Sequence, residues 1–484
     1  MIGDGRFQYL VCATCMLGNM ADAVELLCLS FVLTELEQFG GGESGVLSAA
    51  IFVGMLFGGW VGGLLADRIG RRPTLQAAVL LNAVFGAATA AVPDSLPWFV
   101  CCRVLSGIGV GCSVPVVFGY CSEFVGSKNR GRYINMIAAG WMLGSIIAAA
   151  AAWAVIPTLG WRIYVVMCSL PAVTCLILTL SVPESPRWVL LRGDVARATA
   201  ILSRMARANG RPCRLDDPTK FVLKPLANSA PEDDDFSPVV SPVPGSDEDE
   251  DGGETTVYGA AASPRAKAAF PGEPLATRTL SYRLKRLISP FLALFSPSVR
   301  RSTLSLALVW FMLSFGWYGL VLWVPKIIDS LDMGLNMYTA TLIMQAANLP
   351  GNVASFFLSE RVSRKRLMSI SLACACLSSV GFAFANTPFT VILSASLFNS
   401  FSTASWNTLD CLSTESFGTA QRGTAMGTLS ALGRIGSTIA QFSNAFLLET
   451  SVFFLLIVTS SAMAVAAFGA LLTPSDRTGK KLIG

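Results

Sequence analysis

The chain contains no histidine. Imidazole metal sites and imidazole proton relays are thereby excluded, so side-chain proton carriage must fall to carboxylates. Charge is scarce as well. Only 14% of residues are Asp, Glu, Lys or Arg, against 53% hydrophobic, and mean hydropathy is +0.57. A chain of 484 residues with this balance is not a set of soluble domains. Basic residues are missing from residues 35–45, 92–98 and 385–390. Thirteen cysteines are present, yet no two fall in those short stretches. Twelve lie in or beside apolar segments and Cys213 in a central loop, so they read as small packing residues rather than a disulfide framework. No nucleophile–base set and no cluster of metal ligands appears, so no enzyme reaction, metal or cofactor is expected. The first apolar stretch is too long for a signal peptide and no small-residue cleavage site follows it, which predicts a permanent span.

Long apolar runs fill the chain instead. A helix needs roughly 20 apolar residues to cross a bilayer. Twelve runs qualify, at about 8–35, 44–65, 74–92, 96–120, 132–155, 161–181, 300–324, 336–358, 367–386, 389–412, 423–446 and 451–473. Only helices and closed barrels satisfy their backbone in lipid, and these runs are too long and too uniformly apolar for barrel strands. Basic residues follow every second run. Arg68, Arg71 and Arg72 follow the second, Lys128, Arg130 and Arg132 the fourth, Arg361, Arg364, Lys365 and Arg366 the eighth, and Arg477, Lys480 and Lys481 the twelfth. The positive-inside rule places those connectors and both termini in the cytoplasm. This asymmetry accounts for the net charge of +5, which is no argument for nucleic acid.

Three regions follow: a six-helix bundle over 1–188, a cytoplasmic loop over 189–298, and a second six-helix bundle with a short tail over 299–484. Within the loop, 194–208 reads as a basic helix capped by Asp194. Beyond about 225 the acidic runs 232–235 and 247–251, set among Pro, Ser and Gly, read as a disordered linker. Ser237-Pro238, Ser241-Pro242 and Ser263-Pro264 are candidate phosphorylation sites or plain linker.

The two halves repeat each other. Asp67-Arg68-Ile69-Gly70-Arg71-Arg72 recurs 293 residues later as Glu360-Arg361-Val362-Ser363-Arg364-Lys365. The stretch from Glu123 through Arg130 to Gly131 recurs 292 residues later, from Glu415 through Arg422 to Gly423. Two motifs at one offset, each between apolar runs, mean a duplicated membrane unit. Duplicated bundles with a site at their interface are the architecture of secondary transporters.

These motifs carry a family resemblance. Residues Gly63 to Arg72 resemble the signature after the second helix of the major facilitator superfamily, and Arg103 to Gly111 resemble its fourth-helix motif. Residues Pro183 to Trp188 match the motif closing the first half of sugar porters and their organic-ion relatives. Gly5-Arg6-Phe7-Gln8, Met20 to Glu25, Trp317 to Leu322 and Leu448 to Val452 resemble the synaptic-vesicle-protein-related branch. The resemblance covers both bundles but not residues 209–285. It implies an all-α membrane fold of twelve transmembrane helices in two pseudo-symmetric bundles. The second copy has Ser363 where the first has Gly70, so it should not form the same tight turn. The glutamine-rich seventh-helix motif of sugar porters is not visible, so sugar loses weight as substrate.

Ionisable residues inside the runs are the main site candidates, because charge near the bilayer centre costs about 2.5–3.5 kcal/mol on insertion scales. Asp22 and Glu25 share one face of the first run. The resemblance implies that a first-helix acid meets a fourth-helix arginine, and Asp22 and Arg103 match those positions. Burial raises a carboxyl pKa and a guanidinium lowers it. Such a group can trade protons, or the pair is a static tie between helices. Glu25 shares the proton-coupling assignment. A solute cavity is expected from Trp141, Trp317, Tyr318, Asn399, Trp406, Asn407 and Asp410. Asp410 beside Trp406 is a plausible seat for an amine, or else it is simply hydrated. Gating is expected from Asp67, Arg68, Arg71, Glu123, Arg130, Glu184, Arg187, Glu360, Arg361, Glu415, Arg422 and Arg434, with Arg130 or Arg132 pairing Glu123 or Glu184. Gly107, Gly109 and Gly111 should let helices approach closely.

The sequence thus reads as a monomeric transporter in a lipid bilayer, moving a small polar or charged organic solute and coupled to protons. A receptor or trafficking protein on the same fold and a facilitative uniporter remain as alternatives.

Overall fold

The computed structural model describes residues 4–36, 40–91, 95–126, 129–210, 291–331, 334–359, 361–417 and 419–474. The acidic runs of the loop, its Ser-Pro pairs, Cys213, Lys128, Glu360 and the basic tail lie outside the described residues. Every regular element among the described residues is a helix. Spans 1 to 5 are Arg6–Glu35, Gly41–Ile69, Arg71–Ala88, Leu96–Ser122 and Arg130–Leu159. Span 6 is broken at Ser169 into Trp161–Cys168 and Leu170–Ser181, where Pro171 opens a new first turn. Span 7 is Arg300–Ser330, and span 8 consists of Met337–Ala346 and Asn348–Ser359. Spans 9 to 12 are Arg364–Ala383, Pro388–Ser416, Thr419–Thr450 and Val452–Leu472. Span 7 runs past the expected end at 324, because Pro325 is accommodated within the helix.

Among the described residues, nine helices are apolar and long enough to cross a membrane by length and composition alone. Spans 8, 10 and 11 are the others. Span 8 is in two pieces, and spans 10 and 11 are diluted by Ser, Thr, Asn and Gln. Spans 1 and 7 are the most enclosed, with 83% and 72% of their most apolar windows buried, so they line the centre. Spans 3, 5, 6, 9 and 12 fall to 39–44%.

The duplication in sequence is a duplication in packing. Span 1 packs on span 5 as span 7 packs on span 11, span 3 on span 4 as span 9 on span 10, and span 3 on span 6 as span 9 on span 12. Across the halves, span 2 meets span 11, span 5 meets span 8, and span 1 meets span 7. The pseudo-two-fold that exchanges spans 2 with 8 and 5 with 11 maps this set of contacts onto itself.

Glycine sets the closest of these approaches. A methyl built on Gly107 would lie 2.3 Å from the Ile51 carbonyl oxygen, and one on Gly111 2.2 Å from that of Met55, both on span 2. One on Gly109, between them, would lie 2.6 Å from the Ala78 carbonyl oxygen of span 3. Alternate glycines on span 4 therefore admit two different helices, as expected for small residues in membrane interfaces.

Gly70, at φ +115°, joins spans 2 and 3. In the second half Ser363 has φ −51° and simply precedes span 9, so the tight left-handed turn belongs to the first half alone. The loop helix forms as Val195–Ala208, with the Asp194 carboxylate accepting the Arg197 N–H at 3.0 Å. Its end docks on the start of span 1. Asn209 accepts the Phe7 N–H at 3.1 Å and donates to Gln8 at 2.8 Å. Part of the Gly5-Arg6-Phe7-Gln8 motif is thereby explained as a docking point.

Candidate functional site

A cavity of about 210 Å³ lies between the two bundles. Spans 1, 4 and 5 contribute Asn19, Phe118 and Trp141, and spans 7, 8, 10 and 11 contribute residues from the other half. Trp141, Trp317, Tyr318, Trp406, Asn407 and Asp410 all line it. Trp317, Tyr318 and Trp406 form one aromatic cluster, with ring centroids 4.7–6.0 Å apart. Trp310 joins it, 5.5 Å from Trp406. The indole N–H of Trp310 donates to Ser413 and that of Trp317 to Asn399, each at 2.9 Å, which fixes both rings from behind.

Asn399 is fully buried and does not line the cavity. It supports Trp317 and donates to the Met344 carbonyl at 2.9 Å. A polar seam continues along spans 8 and 10: Thr403 donates to Asn348 at 2.6 Å, and Asn407 to Asn352 at 2.7 Å and Ser355 at 2.8 Å. Asn399, Thr403 and Asn407 recur every fourth residue, hence on one helix face.

Arg434, expected among the gating residues, lines the cavity. Its guanidinium carbon lies 5.3 Å from the Tyr318 ring centroid. Its position near the middle of a span, two turns before Gln441, was the available signal.

The buried charges pair differently from expectation. Arg103 bonds Glu25 at 2.8 Å, with side chains 0% and 2% exposed. Asp22 instead accepts from the Ser113 hydroxyl at 2.5 Å, and its other oxygen has no hydrogen-bond partner. The reason is antiparallel register. Glu25 lies nearer the end of span 1, which meets the beginning of span 4 where Arg103 sits. Asp22, about one turn earlier, faces Ser113, deeper along span 4.

The spans end in two unlike layers. At the end carrying the basic connectors, Asp67, Arg71, Glu123, Arg187 and Trp188 line a recess of about 410 Å³. Arg71 bonds Asp67 at 2.6 Å and Glu123 at 3.4 Å. Glu184 accepts the backbone N–H groups of Arg71 at 3.0 Å, Arg72 at 3.2 Å and Ser185 at 2.8 Å, capping span 3. The Arg68 carbonyl accepts from Arg192, and the Tyr120 hydroxyl from span 4 donates to the Pro183 carbonyl. The expected Arg130–Glu123 pair is not made. Arg130 and Arg132 are exposed at the start of span 5, while Arg71 reaches Glu123 first. In the second half Arg364 pairs with Glu415, the repeat-equivalents of Arg71 and Glu123. Arg361 is exposed and Arg422 half-buried, and neither joins that pair.

At the opposite, base-poor end the halves touch. The Tyr338 hydroxyl of span 8 donates to Glu35 of span 1 at 3.1 Å, and its ring stacks on Phe31 at 6.0 Å. Deeper in, beside the cavity, Phe52 of span 2 meets Tyr318 of span 7 at 5.2 Å, edge to face.

Comparisons with known proteins agree with this architecture. A family model described as Major Facilitator Superfamily matches residues 14–440 and 345–483. Synaptic vesicle glycoprotein 2A of Rattus norvegicus is 26% identical, over 90% of this chain and 73% of its own length. Synaptic vesicle glycoprotein 2B of Rattus norvegicus is 30% identical, over 67% of this chain and 46% of its own. Among solved structures, the inward-open xylose transporter XylE from E. coli covers 98% of both chains with a TM-score of 0.71 at 18% identity. With twelve helices in two repeated bundles around a shared cavity, and a family match spanning both, this multi-pass membrane protein belongs to the major facilitator superfamily.

Proposed function

We propose that the protein is a secondary active transporter that moves a small polar or charged organic solute across a lipid bilayer by alternating access, driven by protons. One observation carries this reading: a cavity built from both bundles is lined in span 1 by Asn19, about one helical turn from the buried Asp22. A site shared by two rigid bundles can be exposed on either side as they rock. The basic connectors support an orientation with the basic end and both termini in the cytoplasm. Contact between the halves at the base-poor end supports closure on the outer side in this conformation. Asp22 is the proton carrier. It is 0% exposed, it is not paired to an arginine, and one of its oxygens is unfilled. Glu25 and Arg103 hold spans 1 and 4 together around it. The protein acts as a monomer, with the bundle interface supplied within one chain.

Uptake into proteoliposomes, with and without an inward proton gradient, tests this. Asp22→Asn should abolish proton-driven accumulation yet still permit exchange between two loaded sides, since exchange needs no net proton movement. Accumulation against a gradient by this variant would move the coupling site elsewhere.

A further inference from the structure

Among the described residues, the cavity lining contains one acid and one base, Asp410 and Arg434. They sit on spans 10 and 11 and do not form an ion pair with each other. Arg434 keeps Nη1, and Trp406 its indole N–H, buried without a hydrogen-bond partner beside the cavity they help to line. Both are donors suited to a carboxylate. Asp410 is accessible from the cavity one turn beyond Trp406, next to a cluster of four aromatic side chains. Aromatic faces attract ammonium groups, and more so when these are desolvated. The two clustered rings whose N–H groups are tied to Ser413 and Asn399 present their faces in fixed positions. A solute with a single charge would satisfy one of the two cavity charges and leave the other facing it unpaired. A neutral polyol would satisfy neither charge.

We propose that the cavity selects a small zwitterion, its ammonium group held at Asp410 among the aromatic rings and its carboxylate at Arg434 and the Trp406 N–H. This rests on the transport reading for its site and adds the substrate class. Each of the two ionisable cavity residues is then matched by one end of the solute.

The test uses the full chain in lipid nanodiscs and reads binding by tryptophan fluorescence and calorimetry. The probes are glycine betaine and its longer homologue γ-butyrobetaine, choline, 3,3-dimethylbutyrate and D-xylose. At least one betaine should bind at least tenfold more tightly than choline, 3,3-dimethylbutyrate or xylose. Arg434→Gln should erase the preference for betaine over choline. Asp410→Asn should erase the preference over 3,3-dimethylbutyrate and bind that anion more tightly than the wild type does, a gain that misfolding cannot produce. The proposal is overturned if neither betaine binds, or if choline or xylose equals them in the wild type. Counterflow in proteoliposomes separates the two readings. Xylose or choline carried by the protein leaves transport standing and removes the zwitterion. Betaine bound but never moved removes transport and leaves the binding site.

Discussion

A single arginine illustrates how residue chemistry and register divide the work. Arg103 is fully buried, and Glu25 is the acid that compensates it. Removing one member of a buried pair leaves an uncompensated charge, at a cost of roughly 3–5 kcal/mol. Glu25→Gln should therefore lower the melting temperature of the purified protein markedly, and adding Arg103→Leu to it should restore part of the loss. If the double variant is no more stable than Glu25→Gln, the pair is not what holds spans 1 and 4. Asp22→Asn, by contrast, keeps an acceptor for Ser113 and should melt close to wild type. The sequence made all three residues conspicuous by placing charge inside apolar runs. Which acid meets the arginine was not legible, because residues three apart share a helix face and only the partner helix's register separates them.

Between helices, the decisive quantity is how closely backbones approach. Gly111→Ala would set a methyl 2.2 Å from the Met55 carbonyl, so spans 2 and 4 must separate. The expected result is a strong loss of monodisperse protein in detergent. Gly119→Ala, on the same helix with nothing within 4 Å, should purify normally. Equal yields would mean that the crossing has slack. At the basic end, Arg71 links Asp67 to Glu123, and Glu184 caps span 3, so the ends of spans 2, 3, 4 and 6 form one rigid layer. Asp67 is 72% exposed in its side chain, which makes its ion pair weak as a stabiliser and free to exchange partners. Asp67→Asn should slow uptake several-fold while solute affinity stays within a few-fold. A normal turnover rate with normal binding would remove it from the gate. The sequence exposed this layer through its repeats, including the absent Gly70 turn at Ser363. It missed the exchange of partners that gives Glu123 to Arg71 and leaves Arg130 in solvent.

For the whole molecule, the two bundles are alike in packing and unlike in chemistry. The first holds Asp22, Glu25 and Arg103 in its interior, whereas the second holds tryptophans and an amide seam along spans 8 and 10. Closure at the base-poor end rests in part on the Tyr338–Glu35 bond and the Phe31 stack. Tyr338→Phe keeps the stack and removes the bond. Because Glu35 is exposed, the shift should be modest, a few-fold in favour of the conformation open at that end. Labelling rates of a cysteine placed in the base-poor half of the interface read this directly. Unchanged labelling would show that apolar contact alone holds that end shut.

The sequence by itself determined the membrane class, the number of spans, the duplication and the list of charges inside the spans. Each of these follows from what lipid forbids: unsatisfied backbone, unpaired charge and unbroken polarity. Six of the seven residues it singled out for a cavity line one and the same cavity, because large aromatic and polar side chains inside apolar runs have few other uses. Only the tertiary structure decided that Glu25 rather than Asp22 meets Arg103, that Asn399 stands behind Trp317, and that Arg434 faces the cavity. Those outcomes depend on rotation and register between helices far apart in sequence. A shift of one residue turns a helix by about 100°, and no pattern within a single span records what its neighbour will present.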